Sequence, residues 1–271
     1  MQVNPLPPMA EDDMTMIKDL FTYLTQPNSA ACQKVARFGG KAMLRIEDHV
    51  PIMDGQKYIC MDPELSLHTT DDCLVYSFGI STDWSFDWEM EGFGCTVFAF
   101  DPSINASSTD WQQGAISFLQ YGVGAWDHVS DEGWQIRTLD TIVEFLQHSE
   151  RSIHYLKMDV EFTEFEVLRQ QVIRGQQSPL FRNVQQLGVE LHITSFLPVW
   201  EHVTFYREAY KTFLALQDMG FYPFSYEENF SLEPDVDVPG LDDKLMSAME
   251  VVWLKTQCIG PDGRALTGAG Q

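Results

Sequence analysis

Residues Ile153–Leu168 read IHYLKMDVEFTEFEVL. The apolar run stops at Asp159, a second acid follows at Glu161, and helical spacing of Phe165, Leu168 and Val172 begins almost at once. A short, continuously apolar run that passes straight into a helix is the pattern of a strand buried on both faces of a parallel sheet. Two carboxylates at its mouth call for a reason, because α/β sheets meet their ligands at the carboxyl ends of the strands.

The same grammar extends to both sides of this stretch. CLVYSF (73–78) is a strand-length run halted by Gly79, and TVFAF (96–100) is halted by Asp101. AISFLQYGVG (115–124) ends in a Gly-x-Gly pair, and TLDTIVEFLQ (138–147) places Leu139, Ile142, Val143 and Leu146 on one helical face behind Thr138 as cap. Thr163 and Glu166 have the spacing of a capping box for the helix after Asp159, which stops at Gly175. QQLGVELHI (185–193) is a fifth strand, and VTFYREAYKTFLALQDMG (203–220) is a long amphipathic helix. FYPFSY (221–226) and MEVVWL (249–254) are late strands on either side of an acidic loop. Strands alternating with helices predict an α/β fold with a parallel sheet covered on both faces. Asp101, Asp159 and Glu190 then fall at or near strand carboxyl ends, with Gly79 and Gly124 at two more.

The front of the chain has a different texture. Residues 1–13 read as a tail, and Asp13–Leu24 as a helix ended by Pro27. Between Cys32 and Thr70, loops surround one short strand, Lys57–Cys60. The division expected is an appendage over 1–70, a catalytic-type domain over 71–258 and a flexible tail over 259–271.

Lys and Arg total 17 against 40 acids, a formal charge of −23 over 271 residues. Such a surface repels polyanions, which favours a small-molecule partner over nucleic acid and argues against electrostatic attachment to anionic membranes. No run approaches the ~18 apolar residues of a membrane span. The five cysteines are scattered with no C-x-x-C pair, so reduced, half-buried thiols are expected. Nothing at the amino terminus reads as a signal peptide. The cytoplasm is the default compartment, with the secretory pathway open if a longer amino terminus precedes this one.

The turn after the first strand, SFGISTDWSFD, holds one glycine where a dinucleotide fingerprint needs several, and no phosphate-cradling G-x-x-x-x-G-K-[ST] loop exists. A nucleoside without phosphates asks less of that turn. Gly79 permits close approach, and Asp101 stands where an acid would hold ribose hydroxyls. S-adenosylmethionine is such a nucleoside, and its positive sulfonium suits an acidic protein. There is no G-x-S-x-G elbow and no H-E-x-x-H motif. His192, two residues beyond Glu190, is the one histidine placed at a strand mouth. Trp84, Phe86 and Trp88 alternate at the start of a helix as core or lid residues.

CLVYSFGISTDWSFDWEMEGFGCTVFAFDPS, IRTLDTIVEFL, YLKMDVEFTEFEVL and LGVELH, with VARFGG and YICMDPE in front, resemble the methyltransferase-like proteins related to the FkbM type, and most of all the group of animal methyltransferase-like protein 24. The similarity runs from about Ala36 to Phe224. It implies a Rossmann-like class I methyltransferase, with a seven-stranded, mostly parallel sheet, an antiparallel last strand and helices on both faces. It also implies S-adenosylmethionine lying over Ser77, Phe78, Gly79, Ile80, Asp101, Pro102 and Gly124, with Asp127 near the adenine. Asp159 and Glu161 match the catalytic acids, and Glu190, His192 and Phe162 fall on the acceptor side. Two positions depart from the common pattern. Ser77 stands where many methyltransferases carry an acid, and Phe162 replaces the glycine of a D-[VI]-E-G motif.

The preferred reading is therefore methyl transfer to an oxygen or nitrogen of an acceptor that the sequence does not name. An acid such as Asp159 or Glu161 would take the acceptor's proton, and no metal site is assigned. The rivals are a catalytically silent protein of the same fold, and a metal-assisted O-methyltransferase using Asp159 and Glu161.

Overall fold

The computed structural model describes residues 4–45, 48–65, 67, 72–104, 110–175, 178–193, 202–229, 234–238 and 244–256. The chain opens with helix α1 (Asp13–Thr25), capped by the Asp12 carboxylate, which accepts from Thr15 N at 2.8 Å. Four short strands follow: β1 (Val35–Phe38), β2 (Lys41–Leu44), β3 (Pro51–Asp54) and β4 (Lys57–Cys60). They form two antiparallel pairs, β1–β4 and β2–β3. The sequence reading saw only one strand here. The others alternate too little to show, because β2 is exposed along its whole length.

The alternating part follows in chain order: β5 (Leu74–Phe78), α2 (Ser85–Phe93), β6 (Thr96–Phe100), β7 (Asp110–Gln113) and β8 (Ile116–Leu119). A small three-stranded sheet comes next, from β9 (Gly122–Val123), β10 (His128–Val129) and β11 (Gln135–Arg137), leading into α3 (Leu139–Phe145). Then come β12 (Tyr155–Met158), α4 (Glu164–Arg174), α5 (Pro179–Asn183), β13 (Gln186–His192), α6 (Val203–Asp218) and β14 (Phe221–Glu228). The short pair β15 (Pro234–Val236) and β16 (Leu245–Met246) precedes the last strand, β17 (Ala248–Lys255). The main sheet runs β14-β17-β13-β12-β5-β6-β8-β7.

Its five central strands, β13, β12, β5, β6 and β8, are mutually parallel, and β17 lies antiparallel between β13 and β14. This is the expected mixed α/β sheet with an antiparallel last strand, widened by an eighth strand, β7, that pairs antiparallel with β8. The winding reverses between β5 and β12, so the crevice at their carboxyl ends is the place for a ligand.

The two faces of the sheet are covered differently. One buries residues of α1, α3, α4, α5 and α6, with Phe213 stacked on Trp253 at 5.5 Å. The other is covered by α2 and by the β1–β4 pair, through Phe38, Ile59, Phe86 and Met90. This second core also holds two disulfides, Cys32–Cys60 and Cys73–Cys95. The expectation of reduced thiols is overturned for these four cysteines, because partners distant in the chain meet on that face. Cys258 and the expected tail 259–271 lie outside the described residues.

Replacing Cys32 and Cys60 with serine should cost about 3.5 kcal/mol, as expected for releasing a crosslink over a separation of 28 residues, read as a lowered urea midpoint. Non-reducing mass spectrometry should find the two pairs oxidised in the purified protein.

Candidate active site

The carboxyl ends of β5 and β12 meet at Gly79 and Asp159. Gly79 has φ +74°, and a Cβ there would stand 1.6 Å from the Asp159 carbonyl oxygen. The glycine is needed first to let two strand ends close on each other. Gly79 N donates to Phe100 O at 2.9 Å, and Asp159 N donates to Phe78 O at 3.2 Å. Beneath the turn, the buried Lys157 ammonium donates to the carbonyls of Gly79 (2.6 Å) and Phe78 (3.2 Å).

Asp101 follows β6 and is almost wholly buried. Its Oδ2 accepts from Ile80 N (2.9 Å) and Ser81 N (2.7 Å), and its Oδ1 from Ser103 N (2.8 Å) and Ser103 Oγ (2.6 Å). Four bonds from the chain itself tie this carboxylate to the turn that carries Gly79 and Ile80.

Above these turns lies a cleft of about 1070 Å³. Phe78, Gly79, Ile80, Asp101, Pro102, Gly124, Asp159, Glu161, Phe162, Glu190 and His192, all singled out in the sequence, line it. Two others do not. Ser77 is buried within β5, and Asp127 turns away to serve α3, accepting from Thr138 N at 2.7 Å and Thr141 Oγ1 at 2.8 Å. The neighbours of Asp127, Trp126 and His128, do reach the cleft and stack on each other at 5.4 Å. Trp126 and Trp134 had no signal in the sequence beyond being aromatic residues in a polar loop.

The floor of the cleft is a buried charge cluster. The Lys57 ammonium, from β4, pairs directly with the Glu250 carboxylate of β17 and lies 3.9 Å from Asp159 Oδ2 and 4.0 Å from Glu190 Oε2. Lys157 Nζ approaches Asp159 Oδ2 from the other side, also at 3.9 Å. Burial alone would raise the Asp159 pKa, but Lys157 and Lys57 outweigh it and hold this carboxyl below its usual range. Glu190 goes the other way. Burial, reinforced by the charge of Asp159, pushes it up to about 7, although Asn229 Nδ2 donates to it at 2.6 Å.

His192 bridges two acids. Its Nδ1 lies 2.9 Å from Glu164 Oε1 and its Nε2 3.4 Å from Glu161 Oε2. Burial opposes its charge, but the Glu164 carboxylate overrides this and raises His192 to about 9. Glu164 also accepts from Val160 N at 3.2 Å, while Thr163 Oγ1 donates to Val160 O. The expected capping box is therefore not formed: Thr163 makes no cap bond, and Glu164 accepts from Val160 N, ahead of the helix. Glu161 and Phe162 carry the chain through φ +52° and +71°, the left-handed region that glycine accepts freely and a bulky residue does not. Phe162 is 58% exposed and its ring lies 5.3 Å from that of His192 at the cleft mouth.

A family model described as a methyltransferase domain matches residues 4–238. The chain belongs to that family. Among solved structures, this methyltransferase domain is similar to a SAM-dependent methyltransferase from Agrobacterium tumefaciens (10% identity, TM-score 0.37, covering 72% of this chain and 60% of that one). It is also similar to the fibrillarin pre-rRNA processing protein of Methanococcus jannaschii (9% identity, TM-score 0.35, covering 80% and 88%). The domain thus spans 60% of the length of the Agrobacterium protein. A search of the curated proteins finds no match.

Two outcomes follow from the packing. Gly79→Ala should cost more than about 4 kcal/mol, because the clash is with backbone, seen as loss of the cooperative melt. His192, raised above its unfolded value, stabilises the fold fully below pH ~6.5. That contribution, about 3 kcal/mol, is lost as pH rises through about 9. The gap in melting temperature between wild type and His192→Gln should therefore close between pH 7 and 10.

Proposed function

We propose that this protein is an S-adenosylmethionine-dependent methyltransferase acting on an oxygen or nitrogen of a small acceptor. The observation that carries the reading is the chemistry of the cleft. Its described lining includes eight acids and no lysine or arginine, and it sits at the switch point of a methyltransferase-domain sheet. Such a lining is hostile to a pyrophosphate and suited to a cationic nucleoside. The bound cofactor would supply an electrophilic methyl group on a positive sulfonium.

The residues divide the work. Pro102, Tyr121 and Ile136 form an apolar shelf suited to a purine. Asp101 acts on the cofactor through the turn it organises, since both its oxygens are engaged by the chain. Asp159, held ionised by two lysines, is a fixed anion facing the positive part of the cofactor. It is a weak base for the same reason. Glu190, buried beside the same cleft with a pKa near 7, is the better proton acceptor. Glu161, Phe162 and His192 form the acceptor-side rim.

We further place the chain among the FkbM-related methyltransferase-like proteins, nearest the methyltransferase-like protein 24 group, on the YSFGI, CTVFAFDPS and KMDVE blocks. The transfer unit would span 71–258, with 1–70 as its cover. The two disulfides support an oxidising compartment.

Isothermal calorimetry with S-adenosylmethionine and its demethylated product tests the ligand class, and no heat with either would overturn the reading. Glu190→Gln should lower kcat by 10²-fold or more with cofactor affinity retained, and wild-type turnover should rise as pH increases through about 7. Asp159→Asn should weaken cofactor binding by roughly 10- to 150-fold, the worth of a charge-assisted contact. Cofactor binding without product across a broad acceptor screen would instead favour the silent binder.

A further inference from the structure

We propose that the methyl-transfer site carries a built-in cation, the Lys57 ammonium, in the position that a divalent metal would otherwise occupy, making Lys57 a positioning residue for Asp159 and Glu190. The assignment of those two acids to transfer rests on the reading above. The cage around Lys57 does not depend on it.

Asp159, Glu190 and Glu250 come from the ends of three different strands, β12, β13 and β17, yet an oxygen of each lies within 4.8 Å of the others. Three carboxylates at that spacing form an oxygen-ligand set of the kind that holds Mg²⁺, Mn²⁺ or Ca²⁺. Left without a cation, they would repel one another in a buried setting. The Lys57 side chain, 1% exposed, reaches all three. A compact ammonium with three donors is a fair substitute for a metal as a charge, but it is fixed in place and cannot be chelated away.

The chain takes trouble to deliver it. Lys57 lies on β4, outside the main sheet. Gln186, at the start of β13, clamps the other end of β4: it accepts from Cys60 N at 2.7 Å and donates to Cys60 O at 2.9 Å. The Tyr155 hydroxyl of β12 donates to Tyr58 O at 3.3 Å. It passes through the space left by Gly188, where a Cβ would stand 1.9 Å from that oxygen. The Cys32–Cys60 disulfide closes the far end of the strand. Two residues of β4, Tyr58 and Cys60, are thus held by β12, β13 and the crosslink, and Lys57 at its start enters the cage.

The test uses the full chain and Mn²⁺ or Ca²⁺ as probe. In thermal melts with each ion against EDTA, wild type should not shift. Lys57→Ala, which empties the cage and leaves its three carboxylates, should gain a saturable stabilisation of about 5 °C, with Mn²⁺ binding visible by electron paramagnetic resonance. Lys57→Arg should behave as wild type. If Lys57→Ala folds only with the ion present, the proposal is supported. If it does not fold at all, Lys57→Ala/Glu250→Gln keeps Asp159 and Glu190 with less unpaired charge, and the same ion dependence is expected of it. Ion binding by wild type equal to that of the variant, or a folded variant indifferent to ions, would overturn the proposal. Calorimetry with the demethylated cofactor on the same samples separates the two readings. Loss of cofactor binding in wild type would sink the transferase reading alone, because the ion response does not need it.

Discussion

Everything at the mouth of this sheet depends on how a buried excess of carboxylates is accommodated. Asp159, Glu190 and Glu250 come together because β12, β13 and β17 are neighbours, and two lysines, Lys57 and Lys157, make that arrangement tolerable. A buried ion left without its partner typically costs 3–5 kcal/mol, so neither lysine is incidental. The lysines also set unlike roles for similar acids. Asp159 lies between both ammonium groups and stays ionised, whereas Glu190 is pushed toward neutrality by burial and by Asp159 itself. One environment thereby yields a fixed charge and a titratable group within the same cleft.

This arrangement changes the standing of the first seventy residues. In an α/β sheet both faces need cover, yet five of the six α-helices among the described residues bury residues on the same side. The β1–β4 pair, with α2, closes the other face, and both disulfides lie in that thinner core. Residues that read as decoration along the chain are part of the sheet's packing and reach the floor of the cleft through Lys57. The family match beginning at residue 4 includes them.

The rim has a different logic. Glu161 and Phe162 both adopt left-handed backbone, which in a residue other than glycine costs on the order of 1–2 kcal/mol each. The turn is held by Glu164, which is fully buried and accepts from Val160 N while pairing with His192. A phenylalanine at a left-handed position that favours glycine therefore leaves the turn itself intact and adds an aromatic surface at the cleft mouth, against His192.

The pattern of apolar runs and helices determined the parallel sheet and the strand-end positions of Gly79, Asp101 and Asp159, because burial on two faces and the 3.6-residue helical period are local signals. Lys157, inside the run YLKM, went unremarked in that pattern, and the structure seats it under the Gly79 turn. Tertiary structure alone decided the rest. Lys57 sits about a hundred residues from Asp159 in sequence, and nothing near it announces a charge partner. Asp101 read as the acid for ribose hydroxyls but is engaged by three backbone amides and the Ser103 hydroxyl, and Asp127 read as an adenine-side residue but accepts from Thr138 N and Thr141 Oγ1 at the start of α3. The cysteines, too, looked unpaired by spacing. Pairing, saturation and burial are properties of which distant residues become neighbours, and a one-dimensional pattern carries no record of them.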